Sequence, residues 1–389
     1  MRLAKSISRL GTETAFEVLA KARALEAQGR DVVHLEIGEP DFDTPPNIVA
    51  AGIAALRAGQ THYTPSPGVS ELRSTIAAHV AASRGTPVSP EQVVVTPGAK
   101  PIMFFSILAL CEPGDEVVYP NPGFPIYESM INYVGATPVP MPLRESRRFR
   151  LDVDELASLV SDRTKLIIVN SPQNPTGGVL EQSDLEAVAR LAEAHDIAVL
   201  SDEIYSRMLY EGEHLSIASL PGMPARTIIL DGFSKTYAMT GWRLGYGVFP
   251  PELAGLITRL VTNSVSCTPA FTQSAGVEAL TGPQDAPAQM VAEFRKRRDL
   301  VVAGLNTIPG LRCAMPAGAF YAFPNVEGVG LDCRAFAERL LYDGGVAVLA
   351  GSSFGCYGEG HVRLSYANSI ANLEKALERI DAVVRRVRR

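Results

Sequence analysis

The chain has one tryptophan, six histidines and five cysteines in 389 residues, and each scarcity closes off some chemistry. Cys111, Cys267, Cys313, Cys333 and Cys356 are odd in number, widely spaced and never in a C-x-x-C pair. That pattern argues against a disulfide framework or a cysteine zinc site. The histidines show no H-E-x-x-H or related spacing, so no metal is expected. The longest apolar run, 102–111, includes Ser106 and falls far short of the roughly 20 residues that cross a bilayer. Basic residues are not in excess: 36 against 42 acidic ones, a net charge of −6, leave no footprint for nucleic acid. The one basic run, Arg385, Arg386, Arg388 and Arg389, reads as a solvated helix end. The N-terminus lacks an apolar leader and meets Glu13 and Glu17 early. A cytoplasmic protein with neither membrane nor nucleic-acid partners is expected. There is also no G-x-G-x-x-G after a first strand and no G-x-x-x-x-G-K-[ST], so dinucleotides and P-loop triphosphates fit poorly.

What the chain does have is 46% hydrophobic residues, enough for a core in each of two or three domains. From about 90 to 250, short Val/Ile/Leu runs alternate with helix-length segments. The runs 92–95, 116–119, 166–169, 197–200, 227–230 and 244–248 read as buried strands. Between the third and fourth, Ser183-Asp184-Leu185-Glu186 reads as a capping box opening a helix over 183–195. Alternation of this kind predicts an α/β fold whose mostly parallel sheet is covered by helices on both faces. The last hundred residues differ: a charged helix around 293–300, then strands around 319–323, 346–349 and 362–365, predict a smaller α+β domain. The Pro-rich stretch 38–46 interrupts the helical pattern of 14–28. The expected division is therefore an N-terminal arm and part of the small domain (1–45), a large domain (46–285) and the rest of the small domain (286–389).

In open parallel sheets, ligands bind beyond the carboxyl ends of the strands. Polar residues cluster there in this chain. One strand runs into Asn170-Ser171-Pro172-Gln173-Asn174-Pro175-Thr176-Gly177, another into Ser201-Asp202-Glu203-Ile204-Tyr205, and a third into Asp231-Gly232-Phe233-Ser234-Lys235. The strand near Val95 leads through Gly98 and Ala99 to an apolar helix, whose free N–H groups suit a phosphate, although an ordinary strand-to-helix turn has the same look. Lysine at a strand end is the sharper clue. An ordinary lysine, with a pKa near about 10.4, is a poor nucleophile, but desolvation or a neighbouring cation frees the amine for Schiff-base chemistry. Arg243 lies eight residues further on and could supply that cation as well as hold a phosphate; a surface Lys–Arg pair is the plainer alternative.

These segments, together with Gly38-Glu39-Pro40-Asp41-Phe42, His62-Tyr63-Thr64-Pro65, the continuation from Thr236 through Gly241-Trp242-Arg243 to Tyr246, and Val362-Arg363-Leu364-Ser365-Tyr366, resemble the class I/II pyridoxal-phosphate-dependent aminotransferases of the aspartate aminotransferase type. The resemblance runs in order from about 34 to 370. It implies pyridoxal 5′-phosphate as cofactor, with Lys235 as its covalent anchor and later the proton carrier. Asp202 would partner the pyridine nitrogen, Tyr205 and Asn174 the ring oxygen, and Phe124 the ring face. Ala99, Lys100, Ser234 and Arg243 would meet the phosphate, joined by Tyr63 from a second subunit, which implies a homodimer with shared sites. Arg363, with Gly38 and Asn174, would bind the substrate α-carboxylate. One departure stands out: many relatives carry serine three residues before the lysine, where this chain has Gly232.

The implied activity is ping-pong transfer of an amino group from an L-amino acid to a 2-oxo acid. A carbon–sulfur lyase on the same fold would use nearly identical residues. A cofactor-sensing regulator would need a DNA-binding domain for which no room is expected before residue 34. Strict aspartate enzymes place an arginine from the neighbouring subunit against the distal carboxylate. Here Asn263 falls at or near that place, and Lys100 is the nearest motif-linked cation, so broad specificity including neutral or aromatic amino acids is expected. An aspartate enzyme of the divergent bacterial type is the alternative.

Overall fold

A computed structural model describes residues 3–388; Arg389, the last of the expected basic run, lies outside the described residues. Its central sheet has seven strands in the order Val93–Thr96, Gly245–Val248, Thr227–Gly232, Ala198–Asp202, Thr164–Asn170, Glu116–Asn121, Thr137–Pro142. The fold is α/β, with this sheet as its frame. Gly245–Val248 is antiparallel to both of its neighbours. The other six strands share one direction, so their carboxyl ends emerge along one edge.

Side chains along a strand alternate between faces, and both faces of this sheet are buried. Leu166 and Ile168 join a core with Ile102 and Met103 of the helix Lys100–Leu110. Ile167 and Val169 join another with Leu185 and Val188 of the helix Gln182–Ala194. Burying a side chain of this kind contributes about 1.5–3 kcal/mol. That is why the strands read as unbroken apolar runs.

All six strands expected in this region form, and the seventh, Thr137–Pro142, was missed. Its prolines at 138, 140 and 142 cannot donate to a ladder, which speaks against a central strand. It sits at the sheet edge, where only Glu116–Asn121 pairs with it. The capping box also needs correction. The helix starts at Gln182, with Glu181 as its cap and Asp184 reciprocating. Asp184 accepts from the Glu181 N–H at 2.9 Å and from Arg150 Nε at 2.7 Å, and this anchoring sets the earlier start.

The charged helix expected near 293–300 extends over Asp285–Thr307, burying Met290, Phe294, Val301 and Leu305 along one stripe. It leads to a three-stranded antiparallel sheet, Leu349–Ala350, Val362–Ser365 and Tyr321–Ala322. The N-terminal segment joins this region: after the helix Ala15–Glu26, Val33–His34 pairs in parallel with Val346–Ala347. The C-terminal helix Ile370–Val387 closes the chain, with Arg385 and Arg386 in its last turn, as a helix C-terminus favours.

Candidate active site

The strand ends deliver their side chains to one cavity of roughly 360 Å³. Asn170 ends one strand and pairs in register with Asp202 at the end of the next, and the turn after Gly232 carries Ser234 and Lys235. On the far side, Gly232 and Thr96 both pair with Gly245. A Cβ at Gly245 would lie 2.4 Å from the Ala99 nitrogen, and one at Gly98 would lie 2.1 Å from Arg243 Nη2. Only glycine lets the helix N-terminus and the arginine come this close. Arg243 itself has a left-handed backbone (φ 54°).

Lys235 Nζ donates to the Gly38 carbonyl at 2.5 Å. It stands 5.7 Å from the centre of the Phe320 ring and 6.0 Å from that of Tyr205. Enclosure in this aromatic setting lowers the amine from the usual 10.5 to about 8; Glu39 opposes the shift and the Arg363 charge adds to it. Asp202 is buried, accepting from Tyr127 Oη at 2.5 Å and from the Ile204 N–H at 3.2 Å. Burial lifts its carboxyl to about 6 even though both donors pull it down.

A buried arginine holds these two strand ends together. Arg84 Nε donates to Glu203 at 2.9 Å and its Nη2 to Asp231 at 2.5 Å. Glu203 follows Asp202, and Asp231 precedes the Lys235 turn. Removing one partner of such a buried pair typically costs about 3–5 kcal/mol.

Arg363 is buried without a carboxylate partner among the described residues. Its Nη1 donates to Asn174 Oδ1 at 3.0 Å and its Nη2 to the Glu36 carbonyl at 2.5 Å, while its buried Nε has no acceptor. The guanidinium rests 4.5 Å from the Tyr321 ring centre, and Tyr321 Oη lies 2.7 Å from Tyr205 Oη. Among the described residues Arg243 is likewise unmatched, bonding only the carbonyls of Thr240 (2.9 Å) and Pro97 (3.3 Å). Two cations without counter-ions among the described residues, opening on one cavity, make it a receptor for a molecule with two anionic ends.

Of the residues singled out from sequence, Gly38, Ala99, Lys100 and Phe124 line this cavity. So do Asn174, Asp202, Tyr205, Ser234, Lys235, Arg243 and Arg363. Tyr63 does not; it is 89% exposed and so cannot serve its own chain's cavity. Asn263 is exposed near the end of the helix Pro251–Ser264. Sequence reasoning missed Tyr127, Tyr321 and the wall formed by Glu13, Thr14 and Phe16. None of these belongs to a run of polar residues at a strand end, which was the signal used.

The sequence matches the family described as aminotransferase class I and II over residues 30–380. It is 41% identical over 366 residues to an arginine–pyruvate transaminase of Pseudomonas aeruginosa, covering 94% of this chain and 93% of that protein. It is 42% identical to an aspartate aminotransferase of Pyrococcus abyssi, covering 92% of each. Among solved structures, an aromatic aminotransferase from Pyrococcus horikoshii superposes with a TM-score of 0.90 at 41% identity, covering 95% of this chain and 99% of that one.

Proposed function

The chain belongs to the class I and II aminotransferase family, and from that premise we propose that its cavity holds pyridoxal 5′-phosphate and moves amino groups from a broad range of L-amino acids to 2-oxo acids. One observation carries this reading: a lysine amine near 8 shares a cavity with two guanidinium groups that no carboxylate of the described chain neutralises.

The donor set fits the cofactor. Arg243, the Ser234 hydroxyl and the N–H groups of Ala99 and Lys100 suit a phosphate, joined by Tyr63 of a second subunit in a homodimer. Phe124 suits a ring face, Asp202 a ring nitrogen, and Asn174 with Tyr205 a ring oxygen. The chemistry such a group supplies when bound is an electrophilic carbon for amines and a ring that accepts electrons from a breaking Cα–H bond.

The chain's own residues do the rest. Lys235 Nζ would accept the proton from the substrate Cα and hold it for return to the bound group. At about 8, roughly a tenth of the free amine is unprotonated at pH 7, against about one in three thousand for a lysine at 10.5. The Asp202 carboxylate holds a proton on the ring nitrogen, with Tyr127 orienting it. Arg363 binds the substrate α-carboxylate through two parallel hydrogen bonds and fixes which bond of Cα faces the ring.

The division into 1–45, 46–285 and 286–389 belongs to the same proposal. Gly38, Lys235 and Arg363 bring one contact from each segment to a single cavity. Broad specificity is supported by relatives named for arginine, aspartate and aromatic substrates, and by a neutral Asn263 at or near the place where strict aspartate enzymes carry arginine. Reconstituted protein should show a visible absorbance that Lys235→Ala abolishes. It should transfer nitrogen from alanine, phenylalanine and aspartate with kcat/KM values within about a hundredfold, roughly one charged contact. Absence of transfer with every donor–acceptor pair would overturn the proposal.

A further inference from the structure

Once Arg363 is assigned to the α-carboxylate, Arg243 to a phosphate, and Lys235 with Asp202 to the cofactor, three charged side chains in the cavity wall have no task. They are Glu13, Glu39 and Lys100. Glu39 is exposed and accepts from the Thr240 hydroxyl. Glu13 and Lys100 are ion-paired with each other. From this pair we infer that Glu13 determines substrate specificity: it favours amino donors with a distal cation, ammonium or guanidinium, over donors with a distal carboxylate. The inference rests on the aminotransferase reading of the same cavity and names a substrate class within it.

The pair is lopsided. The Lys100 side chain is 51% exposed, whereas that of Glu13 is only 19% exposed. A released Lys100 ammonium returns to water at little cost, and the Phe124 ring 5.5 Å from it offers a second resting place. A Glu13 carboxylate stripped of its partner stays in the wall, partly desolvated and unpaired, which is unfavourable. A distal carboxylate on the substrate must draw Lys100 away and strand Glu13 beside a second negative charge. A distal cation replaces Lys100 and leaves every charge matched. The field of Glu13 also reaches the reacting end of the cavity, where it opposes the lowering that burial causes at Lys235 and Arg363. A neutral side chain leaves the pair intact.

The test uses reconstituted holoenzyme and the α-methyl analogues of ornithine, aspartate and alanine, which have no Cα–H and bind without being turned over. Dissociation constants come from calorimetric titration, each normalised to the alanine analogue. Glu13→Gln should weaken the ornithine analogue by about ten- to a hundredfold, one charged hydrogen bond, and should tighten the aspartate analogue. Lys100→Met, which does not depend on the folding of the first variant, should move both the opposite way. Equal shifts for the two charged analogues in either variant, or no loss of ornithine-analogue affinity in Glu13→Gln, would overturn the role of Glu13. If the wild-type holoenzyme bound none of the three and transferred nitrogen from no donor, the aminotransferase reading itself would fall, and the specificity inference with it.

Discussion

Replacing Lys235 by methionine removes an amine that the folded, cofactor-free chain holds at about 8 rather than 10.5. A folded-state value below the unfolded one means that folding works against the bound proton. The penalty is present in full below about pH 8 and is relieved as pH climbs toward 10.5. The gap of roughly 2.5, at about 1.36 kcal/mol for each tenfold step, sets an upper limit of about 3 kcal/mol at pH 7. Water entering the open side of the cavity trims this to about 2 kcal/mol. By pH 9.5 most of the unfavourable protonation is gone, and about 1 kcal/mol or less should remain. Methionine also loses the hydrogen bond to the Gly38 carbonyl, an offset common to both pH values. The quantity to follow is therefore the pH dependence of the difference between wild type and Lys235→Met, read from urea midpoints of the cofactor-free proteins at pH 7 and 9.5. Methionine should gain on lysine at pH 7 and lose most of that gain at pH 9.5. A difference that stays constant, or grows toward alkaline pH, would refute the claim that this cavity suppresses the lysine's charge.

Three further outcomes are expected. Tyr127→Phe removes a donor that pulls the Asp202 pKa down, so Asp202 should be neutralised at higher pH; cofactor affinity should drop about tenfold near neutrality, with its acid limb displaced upward, and an unmoved limb would count against the pairing. Arg363→Ala should weaken amino acids by about a hundredfold or more while hardly affecting amines that lack a carboxylate; equal losses for both would make the arginine merely structural. Mixing Lys235→Ala with Tyr63→Ala protomers should recover part of the lost activity through hybrid dimers that keep one intact site, whereas activity from a strictly monomeric species would rule out shared sites.

The groups legible in the sequence are those that lie in short contiguous runs at strand ends. Asn170 to Gly177, Ser201 to Tyr205 and Asp231 to Arg243 each combine an apolar strand with the polar turn that follows it. Parallel pairing brings such turns to one edge wherever the strands sit in the sheet. For that reason the α/β class, six of the seven strands and most of the cavity wall could be read in advance. The glycines at 98 and 245 are visible as residues, but their need arises only where Arg243 and Ala99 approach.

Other features depend on distances in space that sequence separation conceals. Tyr127 meets Asp202 across 75 residues and Arg363 meets the Glu36 carbonyl across 327, with no local pattern announcing either contact. The edge strand Thr137–Pro142 was hidden by its prolines, because only the sheet order tells whether a missing N–H faces a neighbour or solvent. The ion pair of Glu13 with Lys100 likewise exists because the N-terminal segment folds back onto the cavity mouth. The sequence by itself determined the chemistry on offer: which groups are charged, which runs are apolar enough to be strands, and which turns follow them. Tertiary structure alone decided which charges are matched and which stay free, since a side chain's charge balance depends on neighbours that only the packed chain brings within a few ångströms.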